Sequence, residues 1–247
     1  MSIAGIWRIT FFVFVIAVIA GCAGTVSTTG KSTDMLFKEG ERLFAKGKYE
    51  DAITVWKRVR DAYQSPDMTA TAEIKIADAQ YENKNYIEAA AAYEDFRKLH
   101  PSNEKAPYAL FRQAMSNFHQ IGKFDTDQTA VKNTVILLRS FIQQYPDSEN
   151  AAEARKNLEN CRLRQIQYEN YVGRFYLRTD QITAAIKRFE DTLKSYPDPA
   201  GHDETLYFLG QAYLKNGQKE TARDTFDSLI NTFPKSRYSA DARKALK

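Results

Sequence analysis

The chain has 247 residues, 35 basic and 31 acidic side chains and a formal net charge of +4, with the two signs interleaved throughout. That balance describes a solvated surface and excludes the clustered basic footprint of a nucleic-acid-binding protein. The length suffices for one elongated domain or two compact ones.

The only long apolar segment comes first. Ile9 to Ala20 follows a short leader with one cation, Arg8, and is too short for the ~20 residues of a membrane-spanning helix. It closes in Ile19-Ala20-Gly21-Cys22, which resembles a bacterial lipobox, the signal for attaching lipid to the cysteine and cutting away what precedes it. The expectation is a signal peptide over 1–21 and a mature protein starting at lipidated Cys22. Resemblance to bacterial lipoproteins implies that an aspartate behind the cysteine would favour inner-membrane retention, and Ala23 stands there instead. The expected address is the inner leaflet of the outer membrane, facing the periplasm. Several acyl chains tether durably where one binds only reversibly. The small, polar stretch 22–33 reads as a flexible leash. With Cys22 lipidated, Cys161 has no partner for an internal disulfide, so packing alone must stabilise the body.

From residue 34 the chain repeats itself. Four aromatic-rich helix patterns end in similar corners: His100-Pro101-Ser102, Tyr145-Pro146-Asp147, Tyr196-Pro197-Asp198 and Phe233-Pro234-Lys235. Each marks the exit from a second helix, because proline cannot continue it. Their intervals are a ~34-residue period plus insertions. Within the units the pattern resembles the tetratricopeptide repeat: Leu36, Gly40 and Leu43 on helix A, Gly47 and Tyr49 at the turn, Ala52 and Trp56 on helix B. Gly40 against Ala52, Ala77 against Ala89 and Gly210 against Ala222 are the expected close approaches, where a larger side chain would cost roughly 1–3 kcal/mol.

The third unit has Ala114 on helix A, a widened turn around 122–128 and helix B over about 130–145. Between Asp147 and Gly173 there is no glycine or proline, which predicts one helix of about 28 residues, roughly 40 Å long. The expected architecture is an all-α solenoid of about five repeats. Repeats 1–3 occupy 34–146, and the long helix, repeats 4–5 and a capping helix occupy 147–247.

Chemistry-bearing motifs do not appear. His100, His119 and His202 lie in different units and form no metal-spaced cluster. Asp125-Thr126-Asp127 begins like a calcium loop but has Ile136 where the twelfth-position glutamate belongs. There is no phosphate loop, nucleophile elbow or dinucleotide fingerprint. The expectation is no catalysis, no metal and no cofactor, and a binding scaffold whose concave surface is lined by the A helices. Three before, one after and four after the small helix-A residue stand Phe37, Glu41 and Phe44 in unit one. The same positions hold Ile74, Asp78 and Tyr81 in unit two and Phe111, Met115 and Phe118 in unit three. Units four and five, with Asn170, Arg174, Leu177 and Tyr207, Gln211, Leu214, are more polar. Phe37, Phe44, Ile74, Tyr81, Phe111, Met115 and Phe118 are therefore candidates for a groove that takes an extended or helical peptide by apolar anchors, a share of them being inter-repeat core.

Lipobox, leash, five repeats and long helix together resemble the BamD family of outer-membrane protein assembly factors. The likeness is carried by Tyr108-Ala109-Leu110-Phe111 with Asn117, by Phe141 to Ser148, and by Tyr168-Glu169 running to Arg188-Phe189-Glu190. It implies an accessory lipoprotein of the β-barrel assembly machine with no catalytic activity. It further implies substrate contacts from unfolded outer-membrane proteins in the N-terminal half. Contacts with the POTRA part of a BamA-type barrel subunit would lie in the C-terminal half, where family arginines align with Arg178 and Arg188. The alternative is a periplasmic scaffold of another envelope system, Tol-Pal associated or a pilus-assembly lipoprotein.

Overall fold

The computed structural model describes residues 30–247, so the expected signal peptide, the lipidation site Cys22 and most of the leash lie outside the described residues. Eleven helices make up the described part: α1 (Thr33–Ala45), α2 (Tyr49–Ala62), α3 (Pro66–Glu82), α4 (Tyr86–Leu99), α5 (Ala106–His119), α6 (Thr129–Gln144), α7 (Ala151–Arg178), α8 (Ile182–Ser195), α9 (Asp203–Lys215), α10 (Lys219–Thr232) and α11 (Arg237–Ala245). They pack in sequence as five A/B pairs and a cap, an α-solenoid of tetratricopeptide repeats. The 28-residue α7 serves twice, covering unit three with its first turns and forming helix A of unit four with its last. At 1.5 Å per residue it spans about 42 Å.

The corners recur because the same local constraints recur. The C-cap residues of α4, α6, α8 and α10 are His100, Tyr145, Tyr196 and Phe233, each directly before a proline, with φ between −134° and −126° and ψ between 57° and 74°. Proline disfavours the helical region for the residue before it, so each helix stops there. The A-to-B turns repeat as well. Lys48, Asn85, Gln181 and Gln218 donate their backbone N–H to the carbonyls of Leu43, Gln80, Tyr176 and Tyr213, the long bond of a Schellman ending. That ending needs a left-handed residue just before, supplied by Gly47 and Gly217 but also by Lys84 (φ 62°) and Asp180 (φ 59°). A lysine there is strained where glycine is not. Lys84→Gly should therefore raise stability by roughly 0.5–1 kcal/mol, read from the urea midpoint, while Lys84→Val should lower it.

Each helix B carries a fully buried ring: Trp56, Tyr93, Phe141, Phe189 and Phe226. Where helix A has glycine, that ring lies against it. A Cβ built on Gly40 would stand 2.3 Å from the Trp56 indole nitrogen, and on Gly173 or Gly210 it would stand 2.4 or 2.5 Å from the rings of Phe189 or Phe226. This corrects the expected pairing of Gly40 with Ala52 and of Gly210 with Ala222, because the nearest atoms belong to the ring one turn further along. The alanine at the helix-B position lets the backbones close, and the glycine receives the aromatic.

Candidate peptide groove and partner surface

The seven groove candidates divide. Ile74, Phe111 and Met115 are 2, 5 and 6% exposed, so they are core and not groove. Ile74 packs among Ala70, Tyr93 and Phe96, Phe111 lies 5.4 Å from the ring of Phe141, and the Met115 sulfur accepts a bond from Asn157 on α7 at 3.3 Å. The first turns of α7 cover the face that unit three would otherwise present. Phe37, Phe44, Tyr81 and Phe118 keep partial exposure. Phe37 and Phe44 rest 6.4 and 5.8 Å from Trp56, whose indole N–H donates to the Phe37 carbonyl at 3.3 Å.

Tyr81 sits in a polar-aromatic network that reading along the chain did not single out. The Arg112 guanidinium lies 3.5 Å from its ring centroid, a cation over a π face, and bonds to Glu82 at 2.8 Å. The Tyr81 hydroxyl meets His119 Nε2 at 2.8 Å, and Tyr86 stacks on that imidazole at 4.7 Å and 17°. Beneath them Tyr93 and Tyr108 both donate to Asp78 Oδ1, at 2.7 and 2.8 Å. Burial raises the pKa of Tyr81, Tyr93 and Tyr108, which keeps the phenols neutral donors. The available signal was the run of tyrosines 81, 86, 93 and 108 around Arg112. Of the network's members, only Tyr81 and Asp78 fell on the counted concave positions.

His119 titrates below its ordinary value, first because it is desolvated and then because Arg112 is close. The unfolded chain therefore takes up the proton first as pH falls. The stability held by the neutral imidazole is present above ~6.5 and is lost as pH drops through the lower folded value. The urea midpoint should fall more between pH 7.5 and pH 5.5 in the parent protein than in His119→Gln.

A cleft of ≈ 520 Å³ continues the inner surface toward α7, floored by Phe118, Ile121 and Leu163 and edged by Asn160, Arg164 and Gln167. Such a space suits an apolar side chain with a polar terminus. Cys161, in the same helix, is fully buried beside Val131 and Val135, and burial pushes its thiol up to about 11. It is a packing residue. Among the described residues no group of three or more His, Cys, Asp or Glu is arranged to hold a metal ion.

In the C-terminal half the two arginines differ. Arg178, the last residue of α7, is exposed and makes no ion pair among the described residues. Arg188 bonds Glu169 at 2.8 Å with 37% of its side chain exposed, fastening α8 to α7. Burial works against its charge, and bonds to Glu169 and Tyr176 more than offset that. Close by in the fold, Tyr213 donates to Glu190 at 2.5 Å, and burial with that bond pushes the phenol up to about 12.

The family model YfiO, described as an outer membrane lipoprotein, matches residues 30–227. The chain belongs to this family. Relatives bear out the expected kinship with BamD. The outer membrane protein assembly factor BamD of Caulobacter vibrioides is 29% identical over 95% of this chain and 78% of its own. The protein of the same name from Neisseria meningitidis serogroup A is 26% identical over 91% and 90%. Among solved structures, the TPR2AB domain of yeast Sti1 in its complex with pHSP90 superposes with a TM-score of 0.44 at 15% identity, covering 87% of this chain and 84% of that one.

Proposed function

We propose that the chain is a non-catalytic scaffold of outer-membrane protein assembly, tethered to the outer membrane through lipidated Cys22 and facing the periplasm. Membership of the outer membrane lipoprotein family over residues 30–227 carries this reading. Relatives named as BamD assembly factors support the process. The N-terminal groove receives unfolded outer-membrane protein segments, whose apolar side chains seat beside Phe37, Phe44, Tyr81 and Phe118. The C-terminal half, with Arg178 and Arg188, binds the POTRA part of a BamA-type barrel subunit. The lipid keeps both events at the inner leaflet, and neither needs chemistry from the protein.

Co-purification from detergent-solubilised outer membranes tests the assignment. A large β-barrel subunit should come down with the protein; recovery of a Tol or pilus-assembly component in its place would overturn the reading. The groove is tested with a synthetic peptide from a β-barrel C-terminus. An apolar contact fully buried on binding contributes roughly 1.5–3 kcal/mol. Phe44→Ser and Phe118→Ser should each weaken the peptide by about tenfold or more. Unchanged affinity in variants with parental circular dichroism would remove these residues from the groove.

A further inference from the structure

In every inner repeat but one, the same face of helix A is covered by the helix B that precedes it. Counted from the small helix-A residue, positions five before, one before and two after are buried in unit two (Ala72, Ile76, Ala79), in unit three (Ala109, Gln113, Ser116) and in unit five (Thr205, Leu209, Ala212). In unit four the same positions are Tyr168, Val172 and Phe175. Phe175 is 46% exposed, Tyr168 and Val172 are partly exposed, and none of the three belongs to or packs against a buried core cluster. The cause lies in the length of α7. Its predecessor α6 covers it only as far as Cys161, which packs on Val131 in the first turn of α6; past that end the α5–α6 connection reaches α7 through Phe124, whose ring lies 5.9 Å from that of Tyr171, and Phe175 stays open. Unit one, whose helix A has no preceding helix among the described residues, gives a comparison. There the positions are Met35, Glu39 and Arg42, the last two joined in an ion pair. Unit four places two aromatics and a valine where unit one places a methionine and an ion pair.

We propose that the Tyr168-Val172-Phe175 face of α7 is the seat of an amphipathic α-helix from another protein, which docks where a preceding helix B would lie and carries carboxylates toward its two ends. The shape follows from the other repeats, in which a helix fills this position. The charge follows from the ends of the stripe. Arg164 lies four residues before Tyr168 and Arg178 three after Phe175, so helical spacing puts both on the line of the apolar residues. Neither makes an ion pair among the described residues. They are 14 residues apart, about 21 Å along the axis, the reach of a four-turn helix. A guanidinium left open at each end recruits a carboxylate in a bidentate pair.

The same charges exclude the nearest rivals. A second copy meeting this face through its own copy of the same face would bring Arg164 or Arg178 against Arg164 or Arg178 in either orientation. The chain's own residues 1–29 contain no aspartate or glutamate. The seat shares Arg178 with the assembly reading, and Arg164 also edges the cleft beside Phe118, so the crosslink at Phe175 carries the test and β-barrel peptide binding by Arg164→Glu separates the two sites.

Phe175→p-benzoyl-L-phenylalanine in the full-length, membrane-anchored protein, irradiated in the cell envelope, reports what lies against the face. The crosslinked segment is then identified by mass spectrometry. The expected product joins α7 to a segment of another protein that has helical apolar spacing and acidic residues near both ends. Arg164→Glu should cut its yield at least fivefold, and Arg164→Lys should retain most of it. Circular dichroism of each variant should match the parent, since both positions reach the surface. The proposal falls if the crosslink runs to residues 1–29, to a second copy or to lipid, if no crosslink forms, or if Arg164→Glu leaves the yield unchanged. Any of these outcomes leaves the assembly reading untouched, because that reading rests on co-purification and peptide binding and not on a contact at Phe175.

Discussion

Gly173→Ala is expected to destabilise the C-terminal half by about 1–3 kcal/mol, the range for forcing extra volume into a packed core. The sign runs against helix propensity, which alone would favour alanine inside a helix by roughly 0.5–1 kcal/mol. Geometry decides it. The new Cβ would lie 2.4 and 2.5 Å from Cε1 and Cζ of Phe189, and that ring is fully buried, packed at 6.4 Å against Phe208. Neither the ring nor the backbone of α7 has an easy direction in which to give. Urea unfolding should show the loss, and Gly173→Ala combined with Phe189→Leu should recover part of it. Gly122→Ala, whose Cβ would meet only the Thr126 hydroxyl at 3.0 Å in an exposed turn, serves as the near-neutral control. Equal midpoints for Gly173→Ala and the parent would show that the ring is free to move aside.

Arg188→Glu is expected to weaken the complex with a POTRA fragment of the cognate barrel subunit by about 2–5 kcal/mol, the range for losing one partner of a desolvated interfacial charge pair. The 2.8 Å bond from Arg188 to Glu169 complicates the single variant, which would set two carboxylates face to face between α7 and α8. The exchange Glu169→Arg with Arg188→Glu separates the two roles. It rebuilds the internal pair with its direction reversed, so melting should return toward the parent. Binding should stay weak if the guanidinium at 188 itself meets the partner. An exchanged protein that bound the fragment as tightly as the parent would make Arg188 an internal strut only. Arg178→Glu, exposed and without an ion-pair partner among the described residues, should reduce binding and leave melting unchanged.

Much of this architecture was legible in the chain. The dipeptides ending in Pro101, Pro146, Pro197 and Pro234 act through local sterics, so their positions set the helix exits without reference to the rest of the fold. The uninterrupted run after Asp147 likewise had one outcome, the 28-residue α7. The groove was less legible. Periodicity tells which residues share a face of a helix but not how many neighbours press on that face. Met115 met Asn157, a residue 42 positions away, and Ile74 met the ring of Tyr93. The Arg112 network draws on α3, α4 and α5 at once, and it depends on how those helices are set against each other. The same limit hid the stripe of Tyr168, Val172 and Phe175. As sequence it looks like any helix-A face, and only the place where α6 stops leaves it open.

A single unbroken helix shared by two halves also fixes their phase. No glycine or proline interrupts α7 before Gly173, so its length and winding set both the distance and the rotation between the N-terminal groove and the C-terminal surface. One residue inserted near Arg162 would advance one half by only 1.5 Å yet turn it by about 100°, aiming its surface away from whatever the other half holds. Seven inserted residues would lengthen the span by about 10 Å and restore the heading to within about 20°. The spacing along this helix is thereby quantised: a change of whole double turns keeps the two surfaces aligned, and a single-residue step turns one away from the other.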